Sequence, residues 1–209
     1  MINNFLDRRE AGELLASKIA EKFNGLKSAV ILGLPRGGVV VASVIAKKFD
    51  WPLDIVVTRK LGHPLNPEFA IAAVSEHEII LSSSKQADSS YILDQSKKER
   101  EEIRRRIKVY RRNGFAISIK NKTVFLVDDG IATGLTAKVA ILELKRQNPK
   151  EIIVATPVIS KETFLELKKI TNEVVALIVD DNFQAVGQYY RNFPQQNDEE
   201  VLEALADGN

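Results

Sequence analysis

The chain has 209 residues, 44% hydrophobic and 28% charged, and 30 basic against 28 acidic side chains leave a formal net charge of +2. That is one ordinary globular domain, long enough to bury a core without staples and without the global basic field of a nucleic-acid binder. With no cysteine and only His63 and His77, disulfides, cysteine zinc sites, iron–sulfur clusters, cysteine nucleophiles and multi-histidine metal centres are excluded, and a Ser-His-Asp hydrolase is disfavoured.

A first helix is expected over 7–23, where Leu14, Leu15, Ala16 and Ile19 make one apolar face and Asn24-Gly25 supply the stop. Residues 29–33, AVILG, form a short continuous apolar run, the pattern of a buried parallel strand. Gly37-Gly38 opens an apolar helix over 39–49, which leads to a second strand over 53–57. The run 70–81, AIAAVSEHEIIL, reads as two short strands meeting near Glu76-His77. Beyond Ser84 comes a helical stretch whose second part, 94–112, carries nine Lys or Arg and four Asp or Glu, a local charge of +5.

Strands and helices then alternate: strand 123–127, helix 136–147, strand 151–156, helix 161–170, strand 173–179. Asn148-Pro149 ends one of these helices, because proline cannot donate the next backbone hydrogen bond. This alternation predicts right-handed crossovers and an α/β fold, a central parallel sheet flanked by helices. The stretch 194–209 holds five acids and no base, a local charge of −5, with a last amphipathic helix starting at Asn197. The two opposite patches are able to face one another. No apolar run approaches the ~18 residues of a membrane span, and the opening MINNFLDRRE lacks a signal peptide's apolar segment, so a cytoplasmic location is expected.

Residues 124–136, VFLVDDGIATGLT, carry the most chemistry. An apolar strand ends in Asp128 and Asp129, followed at once by a small, hydroxyl-rich loop of Gly130, Ile131, Ala132, Thr133, Gly134, Leu135 and Thr136 that opens a helix. The free N–H groups of a helix's first turn point at whatever lies in front of them, so this loop suits a phosphate monoester. Two adjacent carboxylates suit the opposite task, accepting from the vicinal hydroxyls of a ribose. A pair of acids that merely caps the next helix would not call for this loop as well.

This stretch resembles the motif with which type I phosphoribosyltransferases bind 5-phosphoribosyl 1-pyrophosphate (PRPP). The resemblance implies that Asp128 and Asp129 hold the ribose and 130–136 the 5-phosphate. Gly33-Leu34-Pro35-Arg36-Gly37-Gly38 is similar to the family's pyrophosphate loop, which implies pyrophosphate contacts from Arg36, Gly37 and Gly38 and a cis peptide at Pro35-Arg36. Arg59-Lys60, after the second strand, looks like the Arg-Lys element that meets pyrophosphate in adenine-type and orotate-type members. The stretches GLPRGG, RKLGHPLNPEFA and VDDGIATG together resemble a group of stand-alone phosphoribosyltransferases whose acceptor is not defined.

What the resemblance implies is a single phosphoribosyltransferase domain over 1–209, with a helical insertion about 82–113 and a hood from about 180–209. It would transfer ribose 5-phosphate from PRPP to a nitrogenous acceptor with release of pyrophosphate, with Mg2+ as cofactor reached through substrate oxygens rather than as a direct protein-bound metal, and a homodimer would be usual. No general acid or base is assigned; His63, Glu68 and Glu76 are candidates by location, and 66–70 is expected in a loop that closes over substrate. The acceptor is expected near Phe183, Gln184, Val186, Tyr189 and Tyr190. In 6-oxopurine transferases an aspartate stands where Ala132 stands here, so that route is disfavoured. The competing reading is a PRPP-sensing regulator that binds nucleic acid through the basic helix 97–112, against which Glu99, Glu101 and Glu102 interleave with Arg104, Arg105 and Arg106 as self-paired charge. Walker, Rossmann and G-x-S-x-G signatures are absent.

Overall fold

The structure is a computed structural model that describes residues 4–82, 88–112 and 114–209, the side chains of Pro67 and Glu68 excepted. Continuous apolar runs become the five parallel strands β1 (Val30–Gly33), β2 (Leu53–Ile55), β6 (Thr123–Val127), β7 (Glu151–Ser160) and β8 (Glu173–Asp180), in the order β2-β1-β6-β7-β8. Their registers pair Gly33 with Val127 and Val127 with Ala155, so β1 and β6 end side by side.

Both faces of this sheet are covered, which is why its strands are apolar throughout. Val30, Leu32, Val124, Leu126 and Val154 point to one face, against Ala137, Ala140 and Ile141 of α4 (Leu135–Lys145) and Leu167 of α5 (Lys161–Leu167). Their neighbours Ile31, Phe125, Val127 and Ile153 point to the other, against α1 (Arg8–Lys22) and α2 (Gly37–Phe49). The period-2 alternation of strand side chains thus assigns each helix pair its face. Asp7 caps α1 by accepting from the N–H groups of Arg9 and Glu10, and Phe23 closes it.

The chain between β2 and β6 forms a second, three-stranded antiparallel sheet: β3 (Arg59–His63), β4 (Asn66–Val74) and β5 (Ile79–Leu81). The expected hairpin near Glu76-His77 is β4–β5. The stretch 59–63, for which the sequence predicts no element of its own, is a strand, and 66–70, expected in a closing loop, begins β4. The long helix α3 (Ser89–Tyr110) lies on this sheet, burying Ile103 and Tyr110 with Leu61, Ile71 and Val74. The beginning of the helical stretch expected beyond Ser84 lies outside the described residues. Of the stretch expected in the hood, a short 3-10 turn at Val186–Tyr189 precedes α6 (Asp198–Gly208), which packs on α2 with Val201 and Ala204. A capping box of Asn197 and Glu200 starts α6.

The opposite charge patches do meet. Arg105 of α3 bonds Asp198 of α6 at 3.1 Å, and the Tyr110 hydroxyl donates to Asp198 at 2.6 Å. Among the described residues no helix is long and apolar enough to cross a membrane.

Candidate functional site

A cleft of about 550 Å³ opens where β1 and β6 end. Its floor is Asp128 and Asp129, the first residues beyond β6, in the crevice outside the carboxyl ends of parallel strands where α/β folds bind ligands. Asp128 turns back so that its Oδ1 accepts from the Asp129 N–H at 2.9 Å. Removal from bulk water and the charge of Asp129 push the Asp128 carboxyl well above the ordinary aspartate value, although Lys60 across the cleft opposes this. A carboxyl held in this state lacks a cationic partner of its own and is ready for a ligand's hydroxyl or cation.

On one side of the acids runs the loop Gly130–Ala132–Thr133–Gly134, which leads into α4. Gly134 has φ +70° and no side chain caps α4, so the N–H groups of its first turn face the cleft. The loop is tied down from behind. Ser160 and Thr163 hydroxyls both donate to the Ala132 carbonyl, at 2.9 and 2.5 Å, and the Ile131 N–H and carbonyl bond Val158 and Ser160 of β7. Thr133 and Thr136 line the cleft, whereas Leu135 turns into an apolar cluster with Ala73 and Val139.

On the other side stands Leu34-Pro35-Arg36-Gly37, with the Pro35-Arg36 peptide cis as the resemblance implied. It opens α2, again without a side-chain cap. By contrast α1, α5 and α6 are capped by Asp7, Ser160 and Asn197; α3 also lacks a cap but starts away from the cleft. Two uncapped helix starts thus face one cleft, which is the arrangement that favours anions at two points. A Cβ on Gly37 would fall on the Asp129 carboxylate, and one on Gly38 would come within 2.7 Å of the Val127 carbonyl and 2.8 Å of Asp128 Cα. These glycines let the loop and the acid pair touch. Gly38 itself does not line the cleft.

Arg59 and Lys60 alternate along β3 and part company. Lys60 lines the cleft, while Arg59 is held on Glu99 of α3 at 2.7 Å and is not among the cleft's lining residues. Arg36 stands at the rim, 3.9 Å from Asp198. Of the candidate acid–base groups, His63 Nδ1 accepts from the Leu65 N–H in the β3–β4 turn, Glu76 lies in the β4–β5 turn, and the side chain of Glu68 is outside the described residues. His77 sits in that same turn beside Glu143, 2.7 Å away; burial raises the Glu143 pKa, but bonds from Ser75 and His77 outweigh it and leave it low.

The expected acceptor wall divides. Val186 lines the cleft, and Phe183 and Gln184 line a neighbouring cleft of about 700 Å³ that shares Lys60, Ala132 and Thr133 with the first. Tyr189 and Tyr190 are each 5% exposed and pack with Phe5, Phe183 and Phe193, so both belong to a core. The Tyr190 hydroxyl donates to the Asp129 carbonyl at 2.6 Å, and burial together with Asp129 keeps that phenol protonated. Sequence reasoning passed over Arg8. It reaches the cleft from α1, its Nε 2.7 Å from Asp129 Oδ2, although the two residues lie 121 apart in the chain. One more arginine in an exposed-looking first turn gives no local signal of such a contact.

The model of the phosphoribosyl transferase domain matches residues 2–193. A Mycobacterium tuberculosis protein that carries the phosphoribosyl transferase name, Rv0571c, is 37% identical over 206 residues, which cover 96% of this chain and 46% of that protein. The chain therefore spans about half the length of the curated relatives it matches. The crystal structure of TT1426 from Thermus thermophilus superposes with a TM-score of 0.80 at 43% identity and covers 97% of each chain. At the level of the fold alone, the AQ2163 protein from Aquifex aeolicus superposes with a TM-score of 0.55 at 13% identity, over 86% of this chain and 78% of that one. The match runs through both loops and the acid pair that shape the cleft, and on that ground this chain belongs to the phosphoribosyl transferase family.

Proposed function

We propose that the protein moves the ribose 5-phosphate group of PRPP to a nitrogenous acceptor and releases pyrophosphate. The observation that carries this is the order of three features across one cleft: an uncapped helix start behind 130–136, the acid pair Asp128-Asp129, and a second uncapped helix start behind 35–38. PRPP has the same order of groups, a phosphate, a diol and a pyrophosphate. The first loop takes the 5-phosphate through backbone N–H groups and the Thr133 and Thr136 hydroxyls. Asp128 and Asp129 accept from the ribose 2′- and 3′-hydroxyls, and Arg36, Lys60 and the Gly37 backbone receive the pyrophosphate.

Mg2+ fits this cleft as an ion carried by the substrate. Among the described residues no group of three or more His, Asp or Glu stands together, but two carboxylates lie beside the proposed pyrophosphate position. An ion there would be held mainly by substrate oxygens and water, with Asp128 and Asp129 reached through hydroxyls or water, and it would offset charge on the leaving group. The chain's own residues do the rest. Arg36, Lys60 and the helix start behind 35–38 stabilise the departing anion, the acid pair holds the ribose as positive charge develops at its anomeric carbon, and Val186 and Phe193 exclude water. The acceptor enters from the side of Phe183 and Gln184, where an aromatic ring is available to stack on a flat compound. Ala132 offers its carbonyl to Ser160 and Thr163, and its methyl side chain has no group to handle a purine N7 proton.

Titration calorimetry with PRPP and Mg2+ tests the reading, followed by pyrophosphate release against a panel of purines, pyrimidines and other amines. Binding without turnover on any acceptor would rule out catalysis. No binding would rule out the assignment. The regulatory alternative lacks support in the charge of α3: Arg105 and Arg106 bond Glu102, Arg111 bonds Asp54, and Arg100 bonds the carbonyls of Ser75, His77 and Glu78.

A further inference from the structure

The reaction as proposed leaves Arg8 without a task, yet its surroundings are more elaborate than a surface ion pair requires. Its side chain is 8% exposed. Nε donates to Asp129 Oδ2 at 2.7 Å, Nη1 donates to the Pro194 carbonyl at 2.9 Å, and the guanidinium carbon lies 3.8 Å above the centre of the Phe193 ring. Phe193 stacks in turn on Tyr190, whose hydroxyl bonds the Asp129 carbonyl. Asp129 is therefore gripped at its carboxylate by Arg8 and at its backbone by Tyr190. Gly37 has no Cβ to obstruct this: one built there would overlap Asp129 and stand 2.7 Å from Arg8 Nε.

Holding α1 in place does not require this charge. The helix is already seated by Ala11, Leu15, Ala16 and Ile19, all fully buried. Sequestering a guanidinium is costly, and apolar side chains commonly replace buried ion pairs without loss of stability. What an apolar residue cannot do is fix the rotation of a carboxylate that stands at the mouth of a loop. Arg8 engages one oxygen of Asp129, so the second is kept for a ligand hydroxyl in a set direction. The planar fork lets the same side chain bond Pro194 and stack on Phe193, both on the segment that walls the cleft.

We propose that Arg8 is the positioning residue of the ribose site: it orients the Asp129 carboxylate toward the sugar diol and ties it to the 193–194 wall. This rests on the PRPP reading above and adds a residue from the opposite end of the chain to it. The test is a double-mutant cycle on Mg2+-PRPP affinity by calorimetry, using the full chain as wild type, Arg8→Gln, Asp129→Asn and the double variant, with thermal denaturation of each free protein. Arg8→Gln is expected to weaken PRPP by about tenfold or more, as when one partner of a buried charge pair is truncated. In the double variant the loss should be no greater than for Asp129→Asn alone. Arg8→Lys keeps the charge but not the fork, so it should stay folded and bind with intermediate affinity.

Wild-type affinity in Arg8→Gln, or losses that multiply in the double variant, would overturn the role of Arg8 while leaving the PRPP reading intact. Should Arg8→Gln fail to fold, Arg8→Lys decides alone: affinity equal to wild type overturns the proposal. A wild type that does not bind PRPP overturns both.

Discussion

Asp128 at the end of β6 and Asp198 at the start of α6 are both aspartates at element termini near the same cleft, and their electrostatic circumstances are opposite. Asp198 accepts from the Tyr110 hydroxyl and pairs with Arg105 and, more loosely, with Arg36; the first two bonds hold its pKa below the ordinary value. Asp128 is desolvated, stands beside Asp129 and has its pKa raised. The structure-forming acid is matched to partners within the chain, whereas the acid of the site is left in a state that only a ligand relieves. Stability given up at one place for binding is the physical mark of a functional site.

The sharpest way to break this contrast is to neutralise the pair. Asp128→Asn with Asp129→Asn is expected to weaken Mg2+-PRPP by roughly 100-fold or more in calorimetry, since two charge-assisted hydrogen-bonding groups are lost. In the free double variant, relief at Asp128 opposes the loss of the Asp129 bond to Arg8, so melting should move far less than affinity; wild-type affinity in this variant would make the acids purely structural.

The second prediction takes a matched acid far from the cleft. Asp54 is buried, receives Arg111 at 2.9 Å and the Ile117 N–H at 3.0 Å, and holds the chain that follows α3. Asp54→Asn should cost about 2–3 kcal/mol, read as a fall in denaturation midpoint, because it strands a partly buried arginine. PRPP affinity should stay at the wild-type level. A loss of affinity without a loss of stability would reverse the assignment of the two acids.

Third, Asp128→Asn alone should raise the melting temperature of the free protein near neutral pH, by about 2–4 °C, the usual return from relieving a strained site. The sign follows from the shift. A raised carboxyl pKa in the folded chain means that folded protein is penalised as pH climbs from the ordinary 3.8 to the raised value, and the penalty is constant above it. The gap between variant and wild type should therefore widen with pH and then level off. A gap that closes with rising pH contradicts the assignment.

The smallest effect is expected on the outer face of α3. Arg105→Gln with Arg106→Gln removes one partner of Asp198 and two of Glu102, whose pKa the Arg105 hydrogen bond, with Arg106, brings to about 2. The depressed value places that contribution above pH 4.5 and removes it as pH falls toward 2. Because Arg105 is half exposed, solvent screening limits its share of the loss to within about 1 kcal/mol at neutral pH. Gel shifts with single- and double-stranded RNA and DNA should show no salt-sensitive binding that these substitutions abolish.

The main sheet was legible because its strands are buried on both faces: AVILG, VFLVD and EIIVAT have few other ways to fold. The acid pair and both glycine loops were legible for a related reason, since each loop lies within a few residues of the strand that aims it. The meeting of the basic and acidic patches aside, what escaped was set by contact between distant parts. The strand Arg59–His63 is short and polar, and only its pairing with β4 makes it a strand, which then sends Arg59 and Lys60 to opposite faces. Tyr189-Tyr190, expected at the acceptor, belong to the core because Phe5, from the far N-terminal segment, packs against them. Strand β7 continues past Pro157 to Ser160 because β8 and Ile131 extend the pairing beyond the last β6 partner, Ala155.

The double anchoring of the Ala132 carbonyl by Ser160 and Thr163 makes the loop's shape independent of any ligand. A loop already folded against β7 and α5 would lose little conformational entropy on taking the phosphate proposed for it. Its grip does not wait for the acceptor side to be complete. Under the proposed function, substitutions at Phe183, Gln184 and Val186 would alter the acceptor side without touching this anchor.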